Sequence, residues 1–244
     1  MTKLFITGTG RCGTKSMAIA LNGNHEYNAT RFIEEIYKKV VKEDIYPFET
    51  LGDRIRIAKL MYDNIDENFI DSSNITAHFI DGISYLYPDA KFILLVRNGI
   101  DFTRSAVLRG WHTYDGYDHI PRPDTFFRKY WDVMSNVERC AWMWVNKNEI
   151  ILNRAKTIPQ KQFRIVGIED CGSYGYLDNL EAWSGIKFED RKLFTVEKEK
   201  LNRTPQNKKN AYVWGDREYY EFYSIARNLM ERFGYETDLD SHRI

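Results

Sequence analysis

Residues 1–21 read MTKLFITGTGRCGTKSMAIAL. Within them KLFIT (3–7) is a short β-branched and aromatic run that stops at glycine, which predicts a buried strand. Past the glycines, Met17, Ala18 and Leu21 recur at helical spacing, so a helix is expected from about Thr14 to Leu21. A strand, a glycine loop and a helix N-terminus together offer free backbone N–H groups and a positive dipole end, a combination that favours an anion. The loop itself, GTGRCGTKS (8–16), is close to the phosphate-loop pattern G-x-x-x-x-G-K-[ST]. In that pattern the lysine directly after the second glycine reaches the β/γ-phosphates and the next hydroxyl holds Mg²⁺. Here Thr14 follows Gly13 and Lys15 comes one place late, which leaves Arg11 as the cation able to fold over a bound group. A glycine turn that merely joins strand to helix is the plainer alternative.

Working outward, buried-strand patterns recur at NFIDSS (68–73), PDAKFILLV (88–96) and QFRIVGIED (162–170). Helical patterns fall at FIEEIYKKVVKE (32–43), TAHFIDGISYLY (76–87), RNGIDFTRSAVLRG (97–110) and around 176–184. The stretch 125–155 reads as one long helix or two, and REYYEFYSIARNLMERFGY (217–235) as a closing amphipathic helix capped at Gly234. Strands alternating with helices predict an α/β fold: a single domain with a central parallel sheet flanked by helices. No repeat, low-complexity tract or linker interrupts it, so residues 1–244 are expected to form one domain.

Composition narrows the function classes. Lys plus Arg equals Asp plus Glu at 35 each, so no overall field draws the chain to nucleic acid or an anionic membrane, and an anion site must be built locally. The three cysteines, Cys12, Cys140 and Cys171, are too few and too scattered for a disulfide framework or a metal pattern, which suits a reducing compartment. The N-terminus shows no basic region followed by a long apolar stretch, and the apolar run FILLV (92–96) is far too short to span a bilayer. A soluble, cytoplasmic protein is the expectation.

A second segment bears on the loop. In FILLVRNGIDFTRSA (92–106), Arg97 stands at the carboxyl end of a predicted strand and Ser105 lies eight residues on. Asn98, Asp101 and Ser105 share one helix face by i, i+3 and i+7 spacing. An arginine at a strand end and a hydroxyl on the next helix can clamp one phosphate from two sides, at the sheet edge where open α/β folds bind ligands. The alternative is a surface pair between Arg97 and Asp101 or Asp89.

Together the two segments resemble the cofactor motifs of sulfotransferases that use 3′-phosphoadenosine-5′-phosphosulfate (PAPS). Arg11, Cys12, Gly13, Thr14 and Lys15 match the first motif, and Arg97 with Ser105 matches the second at its spacing. The YPDAKFILLVRN run, a strand ending in an acidic residue (FIDSS), a later strand ending in Glu169 and a final helix ending in FGY follow the same order. The resemblance implies that Gly10, Arg11, Cys12, Gly13, Thr14, Lys15 and Ser16 cradle the 5′-phosphosulfate, with Arg11 and Lys15 as the catalytic cations. It implies that Arg97 and Ser105 grip the 3′-phosphate, helped by a cation of the 200–210 loop, for which Arg203, Lys208 and Lys209 are candidates. PAPS would be the donor, adenosine 3′,5′-bisphosphate (PAP) the product, and no metal would be needed. Positioning and electrostatics then supply most of the catalysis, as in phosphoryl transfer.

The acceptor also needs a general base, and HEYNATRF (25–32) follows the first helix where several relatives carry a glutamate, which points to Glu26. Glu34, Glu35, His25, His78 and His112 are the alternatives. At Ser72 many relatives have a lysine instead. The aromatic loop RGWHTYDGYDHIPRP (109–123), with Trp111, His112, Tyr114, Tyr117 and His119, suits a sugar or phenol acceptor. A small-molecule, saccharide or peptide acceptor is expected, and no nucleic-acid partner. Two alternatives stay open: a kinase using ATP and Mg²⁺ held by Asp71, and a non-catalytic nucleotide-binding module.

Overall fold

A computed structural model describes residues 2–32, 34, 36, 48–114, 119–122, 125–173, 175–190 and 213–238. The described residues divide into two compact units, one from Met1–Val96 with Asn148–Leu201 and the other from Arg97–Lys147 with Asn202–Ile244.

The first unit is built on a parallel sheet of β1 (Lys3–Thr7), β2 (Asn24–His25), β3 (Phe69–Ser72), β4 (Lys91–Val96) and β5 (Phe163–Gly167), in the spatial order β2-β3-β1-β4-β5. Parallel strands buried on both faces read as continuous apolar runs, and β1 and β4 are buried at every position but the first. One face of the sheet, carrying Leu4, Ile6, Ile93, Leu95 and Val166, packs on α1 (Thr14–Ala20) through Met17 and on α8 (Tyr176–Ser184) through Leu177 and Leu180. The other face is aromatic: Phe5 stacks on Phe92 at 5.7 Å and meets Tyr62 of α3 (Leu51–Tyr62) edge-on at 5.0 Å. From β1 the chain moves to the β2–β3 side of the sheet, whereas from β4 it moves to the β5 side. The gap between the carboxyl ends of β1 and β4 is therefore the topological switch point, where open α/β sheets bind ligands.

Several elements depart from the expected pattern. The helix α3 was not anticipated between 44 and 67, although a capping box of Thr50 and Asp53 opens it. Its Arg54 forms a buried ion pair with Asp81 at 2.8 Å and also donates to the carbonyls of Phe48 and Glu49. Gly82 lies directly against the Arg54 backbone, so the two helices approach more closely than a side chain would allow. The helix expected over 76–87 is a 3₁₀ turn, Ile75–His78, followed by α4 (Ile80–Leu86), because Phe79 breaks the run at φ −139°. The two-residue β2 was also unexpected, and β5 ends at Gly167, so Glu169 lies beyond the strand. Of the helix expected over 32–43, residue 32 closes α2 (Ala29–Phe32) and residues 34 and 36 are π-helical, while its other residues and the 200–210 loop lie outside the described residues.

In the second unit, α5 (Gly99–Leu108) starts at an Asn98 cap whose side chain accepts from the amides of Ile100 and Asp101. Gly99 is required by packing: a Cβ there would stand 2.8 Å from the Phe222 ring and 3.1 Å from Trp144. The 125–155 stretch resolves into α6 (Phe126–Tyr130), a 3₁₀ turn Trp131–Val133, and α7 (Asn136–Ala155), which carries the chain back into the first unit. The restart is a reciprocal Ser135–Glu138 cap, with Ser135 N–H donating to Glu138 at 2.7 Å and Glu138 N–H to Ser135 Oγ at 3.1 Å. The closing helix α9 (Asp216–Arg232) ends as expected, with Gly234 at φ 77° and a Tyr235 N–H bond back to Met230.

Candidate active site

The loop after β1 turns on three left-handed residues, Gly10 at φ 76°, Arg11 at 55° and Gly13 at 96°. Gly8 has no room for a side chain, because a Cβ would meet Cys12 Sγ and the Leu95 carbonyl oxygen, each at 2.5 Å. Gly13 caps α1 with its backbone alone, and the first helical bond runs from Met17 N–H to its carbonyl. α1 is only seven residues long, so its macrodipole is a smaller resource than the sequence pattern suggests. Successive left-handed residues are the backbone geometry in which turn amides can converge on an anion.

Side chains sort cleanly around the loop. Cys12 is wholly buried in the core beneath it. Burial pushes its thiol up, outweighing the amides of Gly10, Cys12 and Thr14 that draw it down, so it is a neutral anchor. Any ligand contact from Cys12 is therefore through its backbone. Thr14 is buried, Arg11 and Ser16 are half-buried and Lys15 is exposed.

Arg97 follows the last residue of β4 and belongs to the second unit. Its carbonyl accepts from Trp144 Nε1 at 3.1 Å, which fixes the backbone there. Its guanidinium stands 3.7 Å from Asp101, the surface pair weighed as an alternative. Such a partly exposed i, i+4 pair is worth roughly 0.3–0.5 kcal/mol, too little to keep the arginine from a phosphate. Ser105 is buried on α5. Asn98, expected on the same helix face as Asp101 and Ser105, is instead the cap, with its side-chain oxygen already engaged.

The base candidates separate by environment. Glu26 directly follows β2 at the carboxyl edge of the sheet, with φ 56° and an exposed carboxylate. Its amide donates to the Ser72 carbonyl at 3.3 Å, and its carboxylate lies 3.9 Å from His25 Nδ1. His78 is buried and stacked on Phe48 at 4.9 Å, a core residue. His112 belongs to the second unit, where burial and the nearby Arg139 charge lower its pKa. Glu34 is exposed, while Glu35, Arg203, Lys208 and Lys209 lie outside the described residues.

A residue given no part in transfer by the sequence pattern also stands at this edge. Asp71, the penultimate residue of β3, is fully buried, and both its oxygens are taken: Oδ1 accepts from Tyr27 N–H at 3.1 Å and Oδ2 from the Tyr62 hydroxyl at 2.6 Å. Among the described residues no cluster of three or more His, Cys, Asp or Glu side chains is arranged to hold a metal. Among them also, no helix is long and apolar enough to cross a membrane.

The sheet and its flanking helices define an α/β protein with a glycine-bearing left-handed loop at the end of β1. A family model described as a sulfotransferase domain matches residues 3–160. The sulfotransferase domain from the curacin biosynthetic pathway superposes with a TM-score of 0.52 at 12% identity, covering 97% of this chain and 99% of that one. The sulfotransferase domain of the olefin synthase from Synechococcus PCC 7002 gives 0.49 at 13% identity, over 97% of this chain and 95% of that one. A sulfotransferase from Alicyclobacillus acidocaldarius gives 0.48 at 14% identity, over 100% and 99%. No curated protein matches the chain in sequence. The chain belongs to the sulfotransferase family.

Proposed function

We propose that the protein transfers the sulfuryl group of PAPS to a hydroxyl or amine of a small-molecule, saccharide or peptide acceptor by in-line displacement. The observation that carries this is the left-handed loop at the carboxyl end of β1, with Arg11 in its middle and no lysine directly after Gly13. The acceptor oxygen or nitrogen bonds to sulfur as the bridging S–O bond breaks, and the electron pair leaves on the 5′-phosphate of PAP. Loop amides between Gly10 and Ser16 hold the phosphosulfate, and Arg11 neutralises the charge that grows on the leaving oxygen. Lys15 adds positive charge at the loop's exposed side. Arg97 and Ser105 take the 3′-phosphate, with Arg203, Lys208 or Lys209 as a further cation. Glu26 receives the acceptor proton. A sulfuryl group carries a single charge, so the scheme needs no Mg²⁺. The kinase alternative would draft Asp71 as a metal ligand, yet both Asp71 oxygens are already bonded inside the protein. Three buried free thiols fit a reducing, cytoplasmic setting.

The test is transfer of sulfur label from PAPS across an acceptor panel, with variants. Arg97→Ala is expected to weaken PAP binding, whereas Arg11→Ala chiefly lowers turnover in the complex. Equal binding losses with unchanged turnover would overturn these roles.

A further inference from the structure

The turn after β2 is held in a conformation its residues do not favour. Glu26 and Asn28 both lie in the left-handed region, at φ 56° and 54°, and neither is glycine. Three bonds from outside the turn fix it: Glu26 N–H to the Ser72 carbonyl at 3.3 Å, Tyr27 N–H to Asp71 at 3.1 Å, and Asn28 Nδ2 to the Met61 carbonyl at 2.7 Å. Asp71 links the turn to α3 through the Tyr62 hydroxyl at 2.6 Å, and the Tyr62 ring stacks on that of Tyr27 at 6.1 Å. A carboxylate buried among Phe5, Phe69 and Tyr62 is costly, and packing alone gives no reason to keep one.

We propose that Asp71 is a positioning residue for sulfuryl transfer, clamping the Tyr27 amide and the Tyr62 hydroxyl so that Glu26 is held at the carboxyl edge of the sheet. This rests on Glu26 as the base. The ionised carboxylate accepts both bonds with charge assistance; protonation removes that charge and weakens both, so the clamp loosens. Burial pushes the Asp71 carboxyl up to about 6, partly opposed by the bonds from Tyr62 and Tyr27 and aided by the Glu26 charge. The groups facing it are Tyr62 from α3, Tyr27 and Glu26 from the turn, and the Ser72 amide on its own strand, with His25 against Glu26. The clamp therefore titrates within a working pH range.

The experiment compares wild type, Tyr62→Phe, Asp71→Asn and Glu26→Gln, using labelled PAPS with water in the acceptor's place. Rates are followed from acid to alkaline pH, beside exchange of the Tyr27 amide and calorimetric PAP affinity. Wild-type kcat should fall on the acid side with a midpoint at about 6, and Tyr27 protection should fall with it. Tyr62→Phe removes a donor to the carboxylate, so both midpoints should move to higher pH. At neutral pH its kcat should drop roughly tenfold to hundredfold, the scale of a small misplacement, with PAP affinity unchanged. Asp71→Asn should lower kcat similarly and remove the loss centred at about 6, leaving only the fall due to protonation of the base itself. Wild-type kcat and an unmoved limb in both variants would overturn the clamp, as would a loss of PAP affinity parallel to kcat, the mark of a merely structural residue. An active Glu26→Gln removes the base and the clamp together. An inactive one beside wild-type-like Tyr62→Phe and Asp71→Asn removes the clamp alone.

Discussion

Two left-handed turns stand at the carboxyl edge of the same sheet, and they are built in opposite ways. The loop after β1 places glycine at two of its three left-handed positions, so its shape is encoded where it occurs. The turn after β2 uses Glu26 and Asn28, and it holds its shape through Asp71, Ser72 and Met61, which lie more than thirty residues away in the chain. A locally encoded cradle is legible and robust to remote change. A remotely clamped turn is neither, and its strain is held by the groups beneath it.

The largest expected effect tests the one non-glycine residue that the loop keeps at positive φ. Arg11→Ala should cut turnover on the order of 10²–10³-fold, the scale of losing one preorganised donor to a transition-state charge, as single-turnover kinetics would measure. The remote clamp should show itself in stability against pH. The folded protein holds the Asp71 proton up to about 6, whereas the unfolded chain releases it near 3.8. Stability from this group therefore falls as pH rises through that window, by at most about 3 kcal/mol, and stays lower above it. Urea midpoints at acid and neutral pH should show this slope in wild type and lose it in Asp71→Asn.

Gly8→Ala should destabilise by about 1–3 kcal/mol, because its Cβ would collide with Cys12 and the Leu95 carbonyl; an unchanged melting temperature would mean the loop is softer than described. Arg11→Gly probes the smallest term. Relieving φ 55° should leave stability equal or higher by less than about 1 kcal/mol while turnover is lost, setting strain against function in one substitution.

Much of the first unit was legible, for physical reasons. β1 and β4 are buried on both faces and so read as unbroken apolar runs, and the loop's glycines announce its backbone. By contrast, β2 is two exposed residues whose pairing is dictated by β3, and nothing in Asn24 or His25 says strand. In α3, Gly52, Arg54, Arg56 and Lys59 blur the apolar stripe, and Arg54 is buried through a partner 27 residues on, so only its Thr50–Asp53 box was there to be read. The same limit hid Asp71 as a positioning residue: its role comes from Tyr27 and Tyr62, which no spacing connects to it.

The central claim is that the loop serves a phosphosulfate nucleotide and not a triphosphate. Titration calorimetry in metal-free buffer tests it most directly, with PAP in one cell and ATP with Mg²⁺ in a second. The account predicts that PAP binds more tightly without metal; tighter binding of ATP with Mg²⁺ would contradict it.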